Sequence, residues 1–136
     1  MVKPRRVLLV DDEAPLLRLV ENFLTRNGYE TEAFDQPLDA LAHFGADPQR
    51  FQLVIADVTM PELSGVELVK RLAELSADVH MLLLSGLPLN VERFPESVRR
   101  RLDFLQKPFL PRMLLDSVRQ IEERMARNGH ASESAC

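Results

Sequence analysis

Five short apolar runs alternate with helix-like patterns along the chain, and this alternation constrains the fold more than any other feature. The runs are mainly apolar, or they alternate between apolar and polar residues as half-buried strands do. The predicted strands are Arg6–Val10, Tyr29–Phe34, Phe51–Ala56, Val79–Leu84 and Leu102–Gln106. Strands that alternate with helices through short connections predict an α/β domain, a doubly wound parallel sheet of five strands with helices on both faces.

The helices between these strands are marked by apolar residues at three- and four-residue spacing and by their end signals. Pro15 and Pro111 lie near the expected first turns of the first and last helices, where proline is tolerated. Gly28 follows the first helix as a stop signal, and Gly45 is expected to close a short second helix over Pro37–Phe44. The spacing therefore predicts helices of ordinary length in these places.

The region of the fourth helix differs from this pattern. Within the stretch from Leu87 to Arg101, Pro88 and Pro95 interrupt the apolar spacing, and proline disfavours helix both at its own position and just before it. We therefore expect a short or irregular fourth helix. The folded domain is expected to span residues 5–127, followed by a disordered polar tail over residues 128–136.

Length and composition limit the classes of protein that remain. A chain of 136 residues with 46% apolar and 28% charged residues fits one globular domain. The net charge of −4 argues against direct binding of a nucleic-acid backbone, which requires a basic surface. No apolar run reaches membrane length. Cys136 is the only cysteine, so no intrachain disulfide can form and a cytoplasmic location is expected.

Three acidic residues follow two of the predicted strands. Asp11 and Asp12 come directly after the first strand, and Asp57 comes directly after the third. If the two strands are parallel, their carboxyl ends share one edge of the sheet, where open α/β sheets bind ligands. Crowded carboxylates repel each other unless a hard cation such as Mg²⁺ lies between them. The sequence therefore predicts a Mg²⁺ site and, with it, phosphate chemistry.

Two further polar residues are expected at the same edge of the sheet. Ser85 follows the fourth strand and Lys107 follows the fifth. A hydroxyl, an ammonium group and a bound cation together would stabilise the charge of a phosphoryl group in transfer. Asp57 is the expected nucleophile, because a carboxylate can form an aspartyl phosphate.

With these residues, the chain resembles the receiver domain of bacterial two-component response regulators over roughly Arg5 to Arg127. The resemblance implies a flavodoxin-like fold with strand order 2-1-3-4-5, like that of the chemotaxis regulators. It rests on the following residues: Asp11-Asp12, Asp57, Met60-Pro61, Gly65, Ser85, Phe104 and Lys107-Pro108.

The resemblance also implies a role for each residue of the site. Asp57 would accept a phosphoryl group, and Mg²⁺ would be held by Asp12, by Asp57 and by the backbone carbonyl of Thr59, with Asp11 acting through a bound water. Lys107 would pair with the phosphoryl oxygens. Ser85 would turn its hydroxyl toward them, and Phe104 would rotate inward as the switch aromatic. The signal would appear on the surface formed by the fourth helix, the fifth strand and the fifth helix.

The expected partners follow from the same resemblance. The phosphoryl donor would be a sensor histidine kinase or a histidine phosphotransfer protein, docking on the first helix and neighbouring loops. A downstream output protein or domain and, in a homodimer, a second copy of the chain are further candidate partners. The sequence does not choose between a stand-alone regulator, a relay carrier and a receiver from a larger protein. The resemblance also implies that Thr59, two residues after Asp57, and Leu87, two residues after Ser85, lie where the family tunes access of water to the phosphoryl group. Because Leu87 is apolar, slow loss of the phosphoryl group to water is expected.

Two other functions compete with the phosphoacceptor, which would catalyse only its own phosphorylation and dephosphorylation. A phosphate-independent pseudo-receiver would bind partners with the same fold, but the complete set of acids, serine and lysine disfavours it. A phosphohydrolase of the haloacid dehalogenase type would carry a second aspartate two residues after the nucleophile, where this chain has Thr59. Each site residue alone also has an ordinary structural reading, such as a helix cap, a turn residue or a surface lysine.

Overall fold

The computed structural model describes the backbone of residues 6–135 and the side chains of residues 6–127. Five parallel strands form one sheet in the order β2-β1-β3-β4-β5, which confirms the predicted fold and strand order. The chain passes from β1 to β2 on one side and returns to β3 on the other, so the sheet is doubly wound. The strands are β1 (Arg6–Val10), β2 (Glu30–Phe34), β3 (Leu53–Asp57), β4 (His80–Ser85) and β5 (Leu102–Gln106).

The helices begin and end where local residue chemistry favours it. Pro15 lies in the first turn of α1, Gly28 adopts a φ of 92° just beyond its end, and the Ser64 hydroxyl accepts a hydrogen bond from the Glu67 N–H at the start of α3. None of the helices in the described part of the chain is long and apolar enough to cross a membrane. The helices are α1 (Ala14–Arg26), α2 (Pro37–Ala46), α3 (Gly65–Leu75), α4 (Glu96–Arg99) and α5 (Pro111–Ala135).

The sheet is buried on both faces because successive side chains of each strand point to opposite sides. In β1, Val7 and Leu9 pack against α1 and α5, whereas Leu8 and Val10 pack against the layer of α2, α3 and α4. Strands β3 and β4 divide their side chains between the two layers in the same way. The loops at the carboxyl ends of the strands are therefore held by a rigid, two-sided core.

The fourth helix is short, as predicted. A single 3₁₀ turn over Val91–Arg93 precedes α4, which has four residues. Phe94, only 3% exposed, and Val98 anchor this segment in the core. One guanidinium nitrogen of Arg101 donates to the backbone carbonyls of Ser76 and Val79, at 2.9 Å each. Two apolar anchors and one arginine thus replace the packing of a full-length helix.

The observed boundaries differ from the predicted ones at several element ends. Strands β2, β3 and β4 begin one or two residues later than predicted, at Glu30, Leu53 and His80. Helix α2 continues through Gly45, which has room for helical packing, and ends at Ala46 before Pro48 begins a 3₁₀ turn. The strands β3 and β4 each include the polar residue at their end, Asp57 and Ser85, because ladder pairing continues to Asp57 opposite Leu84 and to Ser85 opposite Gln106.

The last helix reaches nearly to the end of the chain. Helix α5 extends to Ala135, and the disordered tail expected over residues 128–136 stays a prediction. The side chains of these residues and all of Cys136 lie outside the described part. The domain boundary at residue 127 stays a prediction.

Candidate functional site

Three carboxylates meet at the carboxyl edge of the sheet. Asp11 and Asp12 follow β1, and Asp57 is the last residue of β3, which pairs with β1 through Val10 and Ala56. One carboxylate oxygen from each acid lies within 4.8 Å of those of the other two. Asp57 is 5% exposed, Asp11 is also buried, and Asp12 is exposed. The three predicted acids therefore form one cluster with an open side.

The electrostatics of this cluster favour a cation. Burial raises the pKa of Asp11 to about 6, and the negative charge of Asp57 adds to this effect. The Glu13 N–H, which donates to Asp11 Oδ1 at 2.9 Å, and the charge of Lys107 act in the opposite direction without cancelling it. Burial and the nearby charge of Asp57 both disfavour the ionised form of Asp11. A divalent ion would stabilise the ionised carboxylates, and the three acids offer the oxygen ligands that such an ion prefers.

Lys107 places an ammonium group in the same pocket. Its Nζ lies 3.2 Å from Asp57 Oδ2 and 3.7 Å from Glu13 Oε1. Partial burial lowers the pKa of Lys107, but the hydrogen bond to Asp57 and the negative charges of Asp57, Asp11 and Glu13 outweigh burial, so the net shift is upward. The Lys107 N–H donates to the Ser85 carbonyl at 2.7 Å, which fixes the backbone of the lysine beside the end of β4. The lysine is therefore a positioned cation.

Ser85 lies at the same edge, but its hydroxyl is bonded elsewhere. The Ser85 hydroxyl donates to the Leu87 carbonyl at 2.5 Å and accepts from the Leu87 N–H at 3.1 Å. Both bonds hold it against the β4–α4 loop, and within the described part of the chain it has no hydrogen bond to Asp57. Leu87 itself is 76% exposed. The predicted shielding of a phosphoryl group by Leu87 stays a prediction.

The loop after Asp57 is wound tightly around the end of β3. The Val58 N–H donates to the Leu84 carbonyl at 2.9 Å, and the Gly65 N–H donates to the Val58 carbonyl at 2.8 Å. Glu62 has a positive φ of 68°, which is uncommon for a residue other than glycine. Thr59 is exposed in this loop, and a role for its carbonyl in metal binding stays a prediction.

Phe104 lies in the middle of β5, on the face covered by α4. It is half-buried, and its ring centroid lies 6.3 Å from that of Phe94, with the rings tilted by 46°. Sequence reasoning did not single out Phe94. A sequence signal was available, since Phe94 is the one aromatic residue of the proline-interrupted stretch from Leu87 to Arg101 and is a candidate anchor.

An apolar groove adjoins the pocket between α1 and the start of α5. Its volume is about 440 Å³, and Glu13 and Lys107 lie at its polar end. Leu19, on its α1 side, is 58% exposed. Sequence reasoning missed this groove, although Leu19 lies at helical spacing from the apolar residues Leu16 and Phe23 on α1. The main apolar residues of the groove wall are Leu16, Leu19, Phe23, Phe109 and Pro111.

Comparisons with known proteins agree with this site. The family model described as response regulator receiver domain matches residues 7–119. The response regulator receiver protein CpdR of Brucella abortus (strain 2308) is 29% identical over 121 residues, covering 89% of this chain and 97% of CpdR. The transcriptional regulatory protein FixJ of Rhizobium meliloti (strain 1021) is also 29% identical, but the match spans 88% of this chain and only 57% of FixJ.

Solved structures show the same fold. The chemotaxis response regulator CheY4 of Vibrio cholerae is 30% identical, covers 88% of this chain and 99% of its own, and superposes with a TM-score of 0.74. A CheY-like receiver domain protein from Methanospirillum hungatei JF-1 has a TM-score of 0.80 at 24% identity, covering 93% and 99% of the two chains, and supports the fold alone. Because the family model covers most of its length, this chain belongs to the response regulator receiver domain family.

Proposed function

We propose that this receiver domain is a phosphoacceptor in a two-component relay and that Asp57 carries the phosphoryl group. The observation that carries this proposal is the position of Asp57, buried between the acid pair Asp11 and Asp12 and the ammonium of Lys107, 3.2 Å away. A buried carboxylate with a cation on one side and a cation-binding cluster on the other is suited to attack an anionic phosphorus centre.

The transfer step uses groups that the pocket already holds. An oxygen of Asp57 forms a bond to phosphorus while the bond from phosphorus to the imidazole nitrogen of a donor phosphohistidine breaks, and that nitrogen keeps the electron pair. Lys107 neutralises charge on the phosphoryl oxygens. Asp11, Asp12, Asp57 and the Thr59 carbonyl would hold Mg²⁺, which when bound supplies positive charge to the phosphoryl oxygens. The buried position of Asp57 limits its contact with water.

The structural response to phosphorylation would depend on the Ser85 hydroxyl, which has two alternative hydrogen-bond partners. The Ser85 hydroxyl now bonds the Leu87 backbone, and a phosphoryl oxygen on Asp57 would offer it a charged acceptor instead. Leaving Leu87 would free the β4–α4 loop, whose Phe94 packs against Phe104 on β5. A shift of this loop would change the surface of α4, β5 and α5. This is a population shift driven by an interaction present in only one arrangement.

The groove between α1 and α5 is the proposed docking surface for the donor. It opens beside Lys107, so a partner helix with apolar side chains lying in it would bring a phosphohistidine to the pocket. The donor would be a sensor histidine kinase or a histidine phosphotransfer protein, and the expected setting is the cytoplasm. A downstream output protein or domain would bind the α4, β5 and α5 surface.

The test is direct phosphorylation by a small donor. The protein is incubated with Mg²⁺ and acetyl phosphate, and intact mass is recorded for the wild type, for Asp57→Asn and for Asp39→Asn, a control at an exposed aspartate on α2. We expect one added phosphoryl group on the wild type and on Asp39→Asn, and none on Asp57→Asn. Absence of an adduct on the wild type, with acetyl phosphate and with a phosphohistidine donor, would favour the phosphate-independent module instead.

A further inference from the structure

The ammonium of Lys107 is shared between two carboxylates, only one of which is the nucleophile. Its Nζ lies 3.2 Å from Asp57 Oδ2 and 3.7 Å from Glu13 Oε1. Glu13 follows the acid pair and was not among the residues predicted from the sequence. Its side chain is 64% exposed, so it lies at the entrance of the pocket and not in its interior.

The backbone of Glu13 is held in place from both sides. Its N–H donates to Asp11 Oδ1 at 2.9 Å, and its carbonyl accepts from the Leu17 N–H at 2.9 Å in the first turn of α1. The Glu13 backbone is therefore fixed, and its side chain extends across the entrance of the pocket to Lys107. It also lies at the polar end of the groove between α1 and α5.

The contact between Glu13 and Lys107 affects how the pocket receives an anionic phosphoryl donor. Lys107 is the only cation within 4.0 Å of the pocket carboxylates among the described side chains, and it faces Asp57 and Glu13 together. A free phosphoryl donor such as acetyl phosphate is an anion. It must approach a pocket with a net negative charge, and it competes with Glu13 for the same ammonium group.

We propose that Glu13 is a positioning residue that holds Lys107 toward the pocket entrance and disfavours free anionic phosphoryl donors. This inference rests on the proposed function, because it concerns entry to the same Asp57 site. Glu13 acts through its charge on Lys107 and on the incoming donor, and it takes no part in bond making. A donor carried by a docked partner is held in the groove by other contacts and is less sensitive to this repulsion.

The experiment compares Glu13→Gln with Glu123→Gln, which removes the same charge from an exposed position on α5. Initial rates of adduct formation are measured by intact mass over a range of acetyl phosphate concentrations with Mg²⁺ present. At low ionic strength we expect Glu13→Gln to need about fivefold less donor for half-maximal rate. The maximal rate should change little, and Glu123→Gln should match the wild type.

Two further measurements separate charge from structure. At about 1 M salt, where the screening length falls to roughly 3 Å, the advantage of Glu13→Gln should disappear. Glu13→Asp, which keeps the charge, should stay closer to the wild type than Glu13→Gln at low salt. A structural role for Glu13 would give neither pattern.

The outcomes distinguish this inference from the proposed function. If the wild type forms the adduct but Glu13→Gln behaves like Glu123→Gln, or is slower at every donor concentration, the role of Glu13 is refuted and the phosphoacceptor proposal stands. If no protein forms the adduct with either acetyl phosphate or a phosphohistidine donor, both proposals fail together.

Discussion

Gly65 and Asp57 approach each other so closely that no side chain fits between them. A Cβ added at Gly65 would lie 2.3 Å from the Asp57 carbonyl oxygen and 2.8 Å from Val58 Cα. Both neighbours are backbone atoms at the end of β3, so neither can move aside as a flexible side chain could. The start of α3 is therefore packed directly on the backbone of the proposed phosphoacceptor.

Gly65→Ala should destabilise the fold and displace Asp57. We expect a loss of about 1–3 kcal/mol in the free energy of unfolding, the usual range for overpacking. The phosphorylation rate should fall as well, because the loop that carries Asp57 must shift. Urea unfolding and the acetyl phosphate assay measure the two effects.

Gly45→Ala is the matched control for this substitution. Gly45 lies in α2, and a Cβ there would meet only Leu75 Cδ1, at 3.7 Å. Alanine is a better helix former than glycine, so the free energy of unfolding of this variant should rise by about 0.5–1 kcal/mol. Equal stability of the two variants would contradict the close approach of Gly65 to Asp57.

Arg101→Met should destabilise the domain through two backbone carbonyls. The guanidinium of Arg101 donates to the carbonyls of Ser76 and Val79, and its removal leaves these acceptors without that donor. We expect the free energy of unfolding, measured with urea, to fall by about 1–3 kcal/mol. Arg100→Met, at an exposed neighbouring position, is the control and should change stability little. A similar loss in both variants would argue against a specific role for Arg101.

Magnesium should stabilise the folded domain. The Asp11, Asp12 and Asp57 carboxylates are clustered, and an ion bound only by the folded state raises its stability. At free Mg²⁺ a hundredfold above its Kd, we expect a gain of about 2.7 kcal/mol. Thermal unfolding is measured with Mg²⁺ and with sodium at equal ionic strength.

The variants for this prediction are Asp12→Ala and Asp39→Ala. Asp12 is exposed at the open side of the cluster, so its removal should abolish most of the gain without disturbing the core. Asp39 is exposed on α2, away from the cluster, and its variant should respond like the wild type. An unchanged response in Asp12→Ala would mean that the ion binds elsewhere.

His80 should make the stability of the domain fall as the pH is lowered. Burial lowers its pKa from 6.5, and the charges of Arg124 and Arg101 lower it further. Below pH 6.5 the unfolded chain therefore binds a proton before the folded one does. Stability is lost from pH 6.5 downward until the folded state also becomes protonated.

Histidine ring signals followed by NMR over this pH range give the pKa of His80 directly, and a value at or above 6.5 would contradict the prediction. Urea unfolding of His80→Gln gives a second measure. The difference in stability between the wild type and this variant should change in favour of the variant as the pH falls below 6.5. A constant difference would exclude a contribution from the titration of His80.

Much of the fold and part of the site followed from local sequence patterns. Strands β1 and β5 were predicted with their observed bounds, and the short α4 followed from Pro88 and Pro95. The clustering of Asp11, Asp12 and Asp57 was predictable because the carboxyl ends of adjacent parallel strands share one edge of the sheet. The end of α2 was less certain, since Gly45 is tolerated in a helix whose neighbours leave it room.

The contacts that tune the site were not predictable in this way. Periodicity places Glu13 and Lys107 near one sheet edge, but their 3.7 Å contact depends on how β5 and the first turn of α1 are packed. The bond of Ser85 to Leu87 depends on the conformation of a loop that contains Pro88. The sequence alone therefore determined the elements, their order and the acids at the strand ends. Only the tertiary structure decided which side chains pair, because pairing depends on distances of a few ångströms between residues far apart in the chain.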